Sequence, residues 1–270
     1  MWRRGTCPPA GDDMRAAQQT GGADGERGAA LLLALLVLVL LAALGAGAVL
    51  TSSTDVLIAA NYRDAREVLY AADAAVGRTL SDLAARADWT PVLSGAERSA
   101  FADGPPAGLR SLPDGSTIDL TAVASLADCG RAAGCSPAQL DAVTPERPWG
   151  ADNPRWQLFE YGPCGRLAPQ AAGDRACYVV VLVGDDPSET DGDPARDGAP
   201  GSPGAGIIVV RAEAFGLRGL RQTIEATVAR VTDETGVSTD RSERDASEPP
   251  PSGSEDRPGF VRLLSWRWIR

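Results

Sequence analysis

The sequence contains no histidine, and all 26 of its basic side chains are arginine, since no lysine occurs anywhere. The missing histidine excludes Ser-His-Asp and Cys-His nucleophile systems and zinc sites that need imidazole. The missing lysine excludes a phosphate-binding loop of the Walker type and Schiff-base catalysis. Aromatic residues are also scarce, at 5%. Positive charge is in deficit: 36 acids leave a net charge of −10. Such a chain is a poor general ligand for nucleic acid, whose phosphates require a basic surface. Enzymes built on carboxylates survive these exclusions, as do binding and structural proteins. Carboxylate catalysis needs only two acids, but no pair stands out, and an enzyme is not expected.

What is present in excess is one apolar run. Ala29 to Leu50 reads AALLLALLVLVLLAALGAGAVL, and no charge falls between Arg27 and Asp55. As a helix rising about 1.5 Å per residue it spans about 33 Å, enough for a hydrocarbon core of roughly 30 Å. The leader before it carries Arg3, Arg4, Arg15 and Arg27. Arginine on that side favours a cytoplasmic N-terminus. From Tyr62 the apolar residues recur at 62, 65, 69, 72, 76, 80 and 83, with charges on the other faces. That spacing is one helical stripe. A single helix from about Ala29 to about Ala87 is therefore expected, apolar to residue 54 and amphipathic over 55–90. Gly45 and Gly47 weaken it, and Trp89-Thr90-Pro91 ends it.

Beyond the helix, residues 91–231 read as an α+β head. Glycines and prolines mark 94–114 as loop, and Thr117–Leu126 alternates as a strand. Trp156–Tyr161 and the β-branched run Tyr178–Val183 are further strands. Ile207–Phe215 and Gln222–Val231 pair across Gly216–Gly219. Residues 232–259 hold eight acids, three arginines and a Pro-Pro-Pro run, the composition of a disordered acidic loop. Phe260–Ile269 returns as a last strand.

Five cysteines occur. Cys7 lies in the leader. Cys129, Cys135, Cys164 and Cys177 lie beyond the apolar run, an even number that suits two disulfides in an oxidising compartment. Sequence-local pairing would give Cys129–Cys135 and Cys164–Cys177, one of three connectivities; free thiols and a metal site are the alternatives. The stretch Asp185-Asp186-Pro187-Ser188-Glu189-Thr190-Asp191-Gly192-Asp193 offers calcium candidates in Asp185, Asp186, Asp191 and Asp193. It lacks the EF-hand spacing, and a solvated acidic loop is the simpler expectation, with no cofactor. Trp149, Trp156, Trp266 and Trp268 suit either a sugar-binding surface or, more simply, strand packing.

The order of these elements resembles a type IV pilin-like protein, in particular the PilX-type minor pilins. Glu26-Arg27-Gly28 before Ala29 is similar to a prepilin leader junction. Asn61-Tyr62-Arg63-Asp64 and then Tyr70-Ala71-Ala72-Asp73-Ala74 are similar to the segments that follow in that group, and Leu264-Ser265-Trp266-Arg267 to its terminal strand. The resemblance implies an α+β fold: a long N-terminal helix, transmembrane then amphipathic, packed on an antiparallel β-sheet. It implies that prepilin peptidase removes residues 1–28 after Gly28 and that Ala29 becomes the methylated N-terminus. One departure matters. Major pilins carry a glutamate five residues after the cut, and here that residue is Leu33. A subunit without the buried carboxylate lacks a partner for its neighbour's terminal amine, which is similar to tip and initiating subunits. Small residues at Ala42, Ala43, Gly45 and Gly47 allow helices to approach closely in a bundle.

The resemblance thus implies a non-catalytic subunit that initiates or caps a type IV pilus. It would sit in the inner membrane with a periplasmic head and then at the pilus tip. Its partners would be other minor pilins and tip or assembly proteins; twitching and adhesion are among the outputs of such pili. A tip pseudopilin of a type II secretion system and a single-pass extracytoplasmic binding protein remain as alternatives.

Overall fold

A computed structural model describes residues 23–167, 177–189, 191–198, 203–231 and 260–269. The expected acidic loop at 232–259, Cys7 and the leader as far as residue 22 lie outside the described residues. The chain forms two units, Met1–Ala60 and Asn61–Arg270.

Helix α1 covers Ala23–Ala84. It can be this long because no proline occurs between Pro9 and Pro91, and only proline removes a backbone donor and clashes with the preceding turn. It begins six residues before the expected start at Ala29. The glycines at 25 and 28 each cost only about 1 kcal/mol, too little to delay it. It stops three residues before the expected end. The indole Nε1–H of Trp89 donates to the carbonyl of Leu83 at 3.0 Å, which satisfies one of the last carbonyls. A short helix α2, Thr90–Leu93, follows with Pro91 in its first turn.

The 94–114 segment is not all loop. Leu109–Ser111 forms β1 and pairs antiparallel with β2, Thr117–Asp119. The expected strand over Thr117–Leu126 is corrected at the same place. It breaks after three residues, and Leu120–Cys129 forms helix α3. Asp119 is in extended geometry and its carboxylate accepts from the Thr121 N–H at 2.9 Å, an N-cap. Gly130 closes the helix in the left-handed region, φ 72°, which costs a residue without Cβ little. A four-residue helix α4, Pro137–Leu140, comes next.

The main sheet is a five-stranded antiparallel meander, β3 (Gln157–Pro163), β4 (Tyr178–Asp185), β5 (Ile207–Phe215), β6 (Arg221–Val231) and β7 (Phe260–Ile269), in that order. Every residue of β4 is buried, as its uniform valine-rich sequence requires of a strand covered on both faces. One face holds Val179, Val181, Val210, Ala212, Ile224 and Ala226, packed against α1 and α2. The other holds Val180, Leu182, Val209 and Phe215, packed against Leu120, Val123 and Trp156. On that second face a charge ladder crosses three strands. Arg221 and Arg211 both reach the fully buried Glu213, at 2.5 and 2.9 Å, and Arg211 and Arg267 flank Glu225. Arg211 and Arg267 follow the register Arg211↔Glu225↔Arg267, so each lies opposite an acid, whereas Arg221 lies opposite Phe215 and reaches Glu213 diagonally.

Candidate functional site

Among the described residues, the apolar half of α1 is the longest stretch left exposed. From Gly28 to Ala59 every residue is exposed, including Leu33 at 64% and Leu50 at 70%. This stretch is long and apolar enough to cross a membrane. Its end is chemically quiet. Thr51 Oγ1 donates to the Gly47 carbonyl at 3.0 Å, Ser53 Oγ to Val49 at 2.9 Å and Thr54 Oγ1 to Leu50 at 3.0 Å. These three hydroxyls are satisfied inside the helix, which limits the polarity of its surface up to residue 54. Ala42, Ala43, Gly45 and Gly47 lie exposed within it, and a Cβ added at either glycine meets nothing within 4 Å. Gly28 and Ala29 lie inside the helix, both exposed.

The amphipathic half docks on the sheet by a stripe that keeps Ala72, Val76 and Leu83 of the expected one but is rotated from it. The buried residues are Val68, Ala71, Ala72, Ala75, Val76, Thr79 and Leu83. Tyr62, which opens the expected stripe, is 60% exposed, and Leu69 and Leu80 are only partly buried. The rotation follows from size. Three alanines let the helix backbone approach the valines of the sheet closely, and close-packed contact outweighs the placement of the larger side chains. The approach is tightest at Gly216, where a Cβ would come within 2.4 Å of Val68 Cγ2.

Polar contacts help to fix this docking, Ser99 Oγ donating to Asp82 among them, and two more reach other parts of the head. Asp64 forms an ion pair with Arg218, a residue of the β5–β6 turn with φ 59°. The second is Glu160 on β3, fully buried. The pairing register of β3 shifts between Leu158 and Glu160, so Phe159 is an extra residue. This bulge turns Phe159 and Glu160 both toward α1. Thr79 Oγ1 donates to Glu160 Oε2 at 3.3 Å, and Arg78 Nε lies 3.7 Å from the same oxygen. Among the described residues Glu160 Oε1 has no hydrogen-bond partner. Burial pushes the Glu160 carboxyl up to about 8; Arg78 opposes this and Asp82 adds to it. Sequence reasoning missed Glu160, because a single acid between Phe159 and Tyr161 gives no sign that a bulge turns it inward.

The remaining candidates separate. Of the tetrapeptide, Asp64 pairs with the head, while Asn61, Tyr62 and Arg63 are exposed. Arg66 stacks on the Tyr62 ring, 5.0 Å from its centroid. Tyr70 is 59% exposed and Asp73 is exposed. Cys129 is bonded to Cys135 and Cys164 to Cys177, with Cα separations of 6.1 and 5.3 Å. The second bond ties the end of β3 to the start of β4. Of the calcium candidates, Asp185 is buried at the end of β4. Asp186 accepts from Ser188 N at 3.3 Å, Asp191 from Asp193 N at 2.8 Å and Asp193 from Ala195 N at 3.3 Å. They serve separate turns, and among the described residues no group of three or more acids, cysteines or histidines could hold a metal ion. Burial, then Glu189, push the Asp185 carboxyl up to about 8.

Trp156 is buried, whereas Trp149, Trp266 and Trp268 are exposed at 42%, 45% and 43%. Trp149, Trp156 and Trp268 line an open groove of about 1040 Å³ with Arg131, Arg147 and Arg267; Trp266 is elsewhere. The tryptophans thus form no single surface.

A long helix, apolar in its first half and packed through its second on an antiparallel meander, defines the pilin-like α+β class. Residues 27–76 match the family described as PilX N-terminal. The match spans the apolar run, the Asn61–Asp64 tetrapeptide and the Tyr70–Ala74 stretch, and it supports a PilX-type minor pilin of the type IV pilus. Neither the curated proteins nor the solved structures contain a match.

Proposed function

We propose that this chain is a non-catalytic minor pilin that helps to initiate or cap a type IV pilus. The observation that carries the reading is the family match over 27–76, which falls on a helix whose apolar half is wholly exposed. Prepilin peptidase cuts after Gly28, and Ala29 becomes the methylated N-terminus. The helix waits in the inner membrane with the head in the periplasm. It then docks with the helices of other minor pilins and of tip or assembly proteins. Water would penalise the bare leucines by about 25 cal/mol per Å², so lipid or neighbouring helices must cover them at every stage. Ala42, Ala43, Gly45 and Gly47 let those helices approach. Leu33 stands where a bulk subunit holds its glutamate, which favours a position with no neighbour's amine to neutralise. The same feature fits a tip pseudopilin of a type II secretion system.

N-terminal sequencing of the protein from cells with and without the peptidase tests the reading. Ala29 is expected as the first residue only where the peptidase is present. Retention of Met1 in both strains would leave a plain membrane-anchored protein instead.

A further inference from the structure

The two edges of the main sheet are treated differently. The outer edge of β3 is covered by the segment Ser99–Asp103. Ser99 N–H donates to the Phe159 carbonyl at 2.9 Å, Tyr161 N–H to Phe101 at 3.1 Å and Asp103 N–H to Tyr161 at 3.0 Å. β7 is the other edge, and among the described residues no strand pairs with its outer side. It is ten residues long, well above the length at which edge strands are usually left bare. Among its exposed residues are large apolar ones, Phe260 at 64%, Leu264 at 50%, Trp266 at 45% and Leu263 at 44%, beside the exposed Arg262, Ser265 and Arg267.

The register divides its side chains. Leu263 lies opposite Val228 and Trp266 opposite Ala226, both residues of the helix-side core. Arg262 lies opposite Ala229 and Arg267 opposite Glu225, on the other face. Arg131 and Arg147 line the groove next to Arg267. Arg267 is already paired with Glu225, but Arg211, Arg221, Arg262 and Arg267 outnumber Glu213 and Glu225 on that face. In a chain of net charge −10, this edge therefore keeps an excess of positive charge on one face and is apolar on the other.

We infer that β7 is a docking edge for an extended strand of another protein chain, one that alternates acidic and apolar residues. Main-chain hydrogen bonds to the outer side of β7 would supply affinity, and the alternate side chains specificity. Acids at every second position would meet Arg262 and Arg267, and apolar residues between them would cover Leu263 and Trp266. A second copy is the poorer occupant, because two arginine-bearing strands repel when paired. The inference does not depend on the pilin reading, since the edge is present whether or not the leader is cut.

The test fuses a strand to the full chain after Arg270 in detergent, through an Asn-Gly turn that favours a hairpin. Tethering gives an effective concentration in the millimolar range. One fusion carries alternating glutamate and valine, a second alternating arginine and valine. Amide hydrogen exchange over residues 260–269 is the readout. The acidic strand is expected to slow the outward-facing amides at least tenfold, leave β3 unchanged, and lose most of that effect with Arg262→Glu. Equal protection by both strands, or by neither, overturns the inference. So does slow exchange of the same amides in the unfused chain, whether monomeric, with a segment of the chain itself on the edge, or dimeric by light scattering, with a second copy there.

Discussion

Glu160 and Gly216 set how the helix meets the sheet. Glu160 has a carboxyl raised to about 8 from an ordinary value of 4.5. Between those values the folded protein holds a proton that the unfolded chain has released, so stability falls as pH rises through that window. Asp185, also raised to about 8, acts in the same direction. Glu160→Gln keeps an amide where the neutral carboxyl sat and removes the titration. It is expected to leave the melting temperature almost unchanged at pH 5 and to raise it by a few degrees at pH 8. A variant that follows the parent at both pH values would show that Arg78 holds Glu160 ionised throughout. At Gly216 the constraint is space. The 2.4 Å approach is to a methyl of Val68, and a valine in a helix has one favoured rotamer. Gly216→Ala is expected to destabilise the head by about 1–3 kcal/mol, the usual cost of overpacking. Adding Val68→Ala should recover part of that loss, because the two sites are in contact. Thermal unfolding of the full chain in detergent measures both.

The elements were legible in the sequence where one signal dominated. The apolar run could only be a long helix, and Tyr178–Val183 could only be a buried strand. Ile207–Phe215, 221–231 and 260–269 came through because each run is β-rich and bounded by turn residues or an acidic stretch. Thr117–Leu126 was ambiguous, since TIDLTAVASL satisfies the periods of both strand and helix. Asp119 decides the matter through its cap on Thr121. Asp119→Ala should therefore cost about 1 kcal/mol, with the loss of helical signal confined to α3. Chemical denaturation with exchange of the 120–129 amides would register it. An unchanged midpoint would mean that packing of Leu120 and Val123, rather than the cap, holds the helix. The docking stripe was misplaced for a related reason. Periodicity weighs large apolar residues, whereas this interface is built on Ala71, Ala72 and Ala75. The functional segment was legible as a string of residues, but its roles were not. Nothing in Asn61-Tyr62-Arg63-Asp64 indicates that only the aspartate turns to the head, because Arg218 lies 154 residues away.

At the scale of the whole molecule, composition divides along the chain. The residues from Gly28 to Ala59 contribute exposed apolar surface and one charge, Asp55, while the rest of the net −10 resides beyond them. The head, by contrast, buries its apolar residues in two clusters on opposite faces of one sheet. A chain so divided is compatible with a membrane anchor, and under the proposed function lipid and then other helices cover its apolar half. In cells the chain is expected in the membrane pellet and resistant to alkaline carbonate. An arginine at the centre of a spanning helix costs about 2.5–3.5 kcal/mol on insertion scales. Leu36→Arg combined with Leu40→Arg should consequently move the protein to the soluble fraction, or to degradation, while the head fold is undisturbed because both side chains are exposed and outside its core clusters. Fractionation followed by immunoblotting checks this. If the parent is extracted by carbonate, the apolar half is already covered by something other than lipid. The same double variant would then distinguish a helical bundle, which cannot bury two arginines, from a loose peripheral contact, which can.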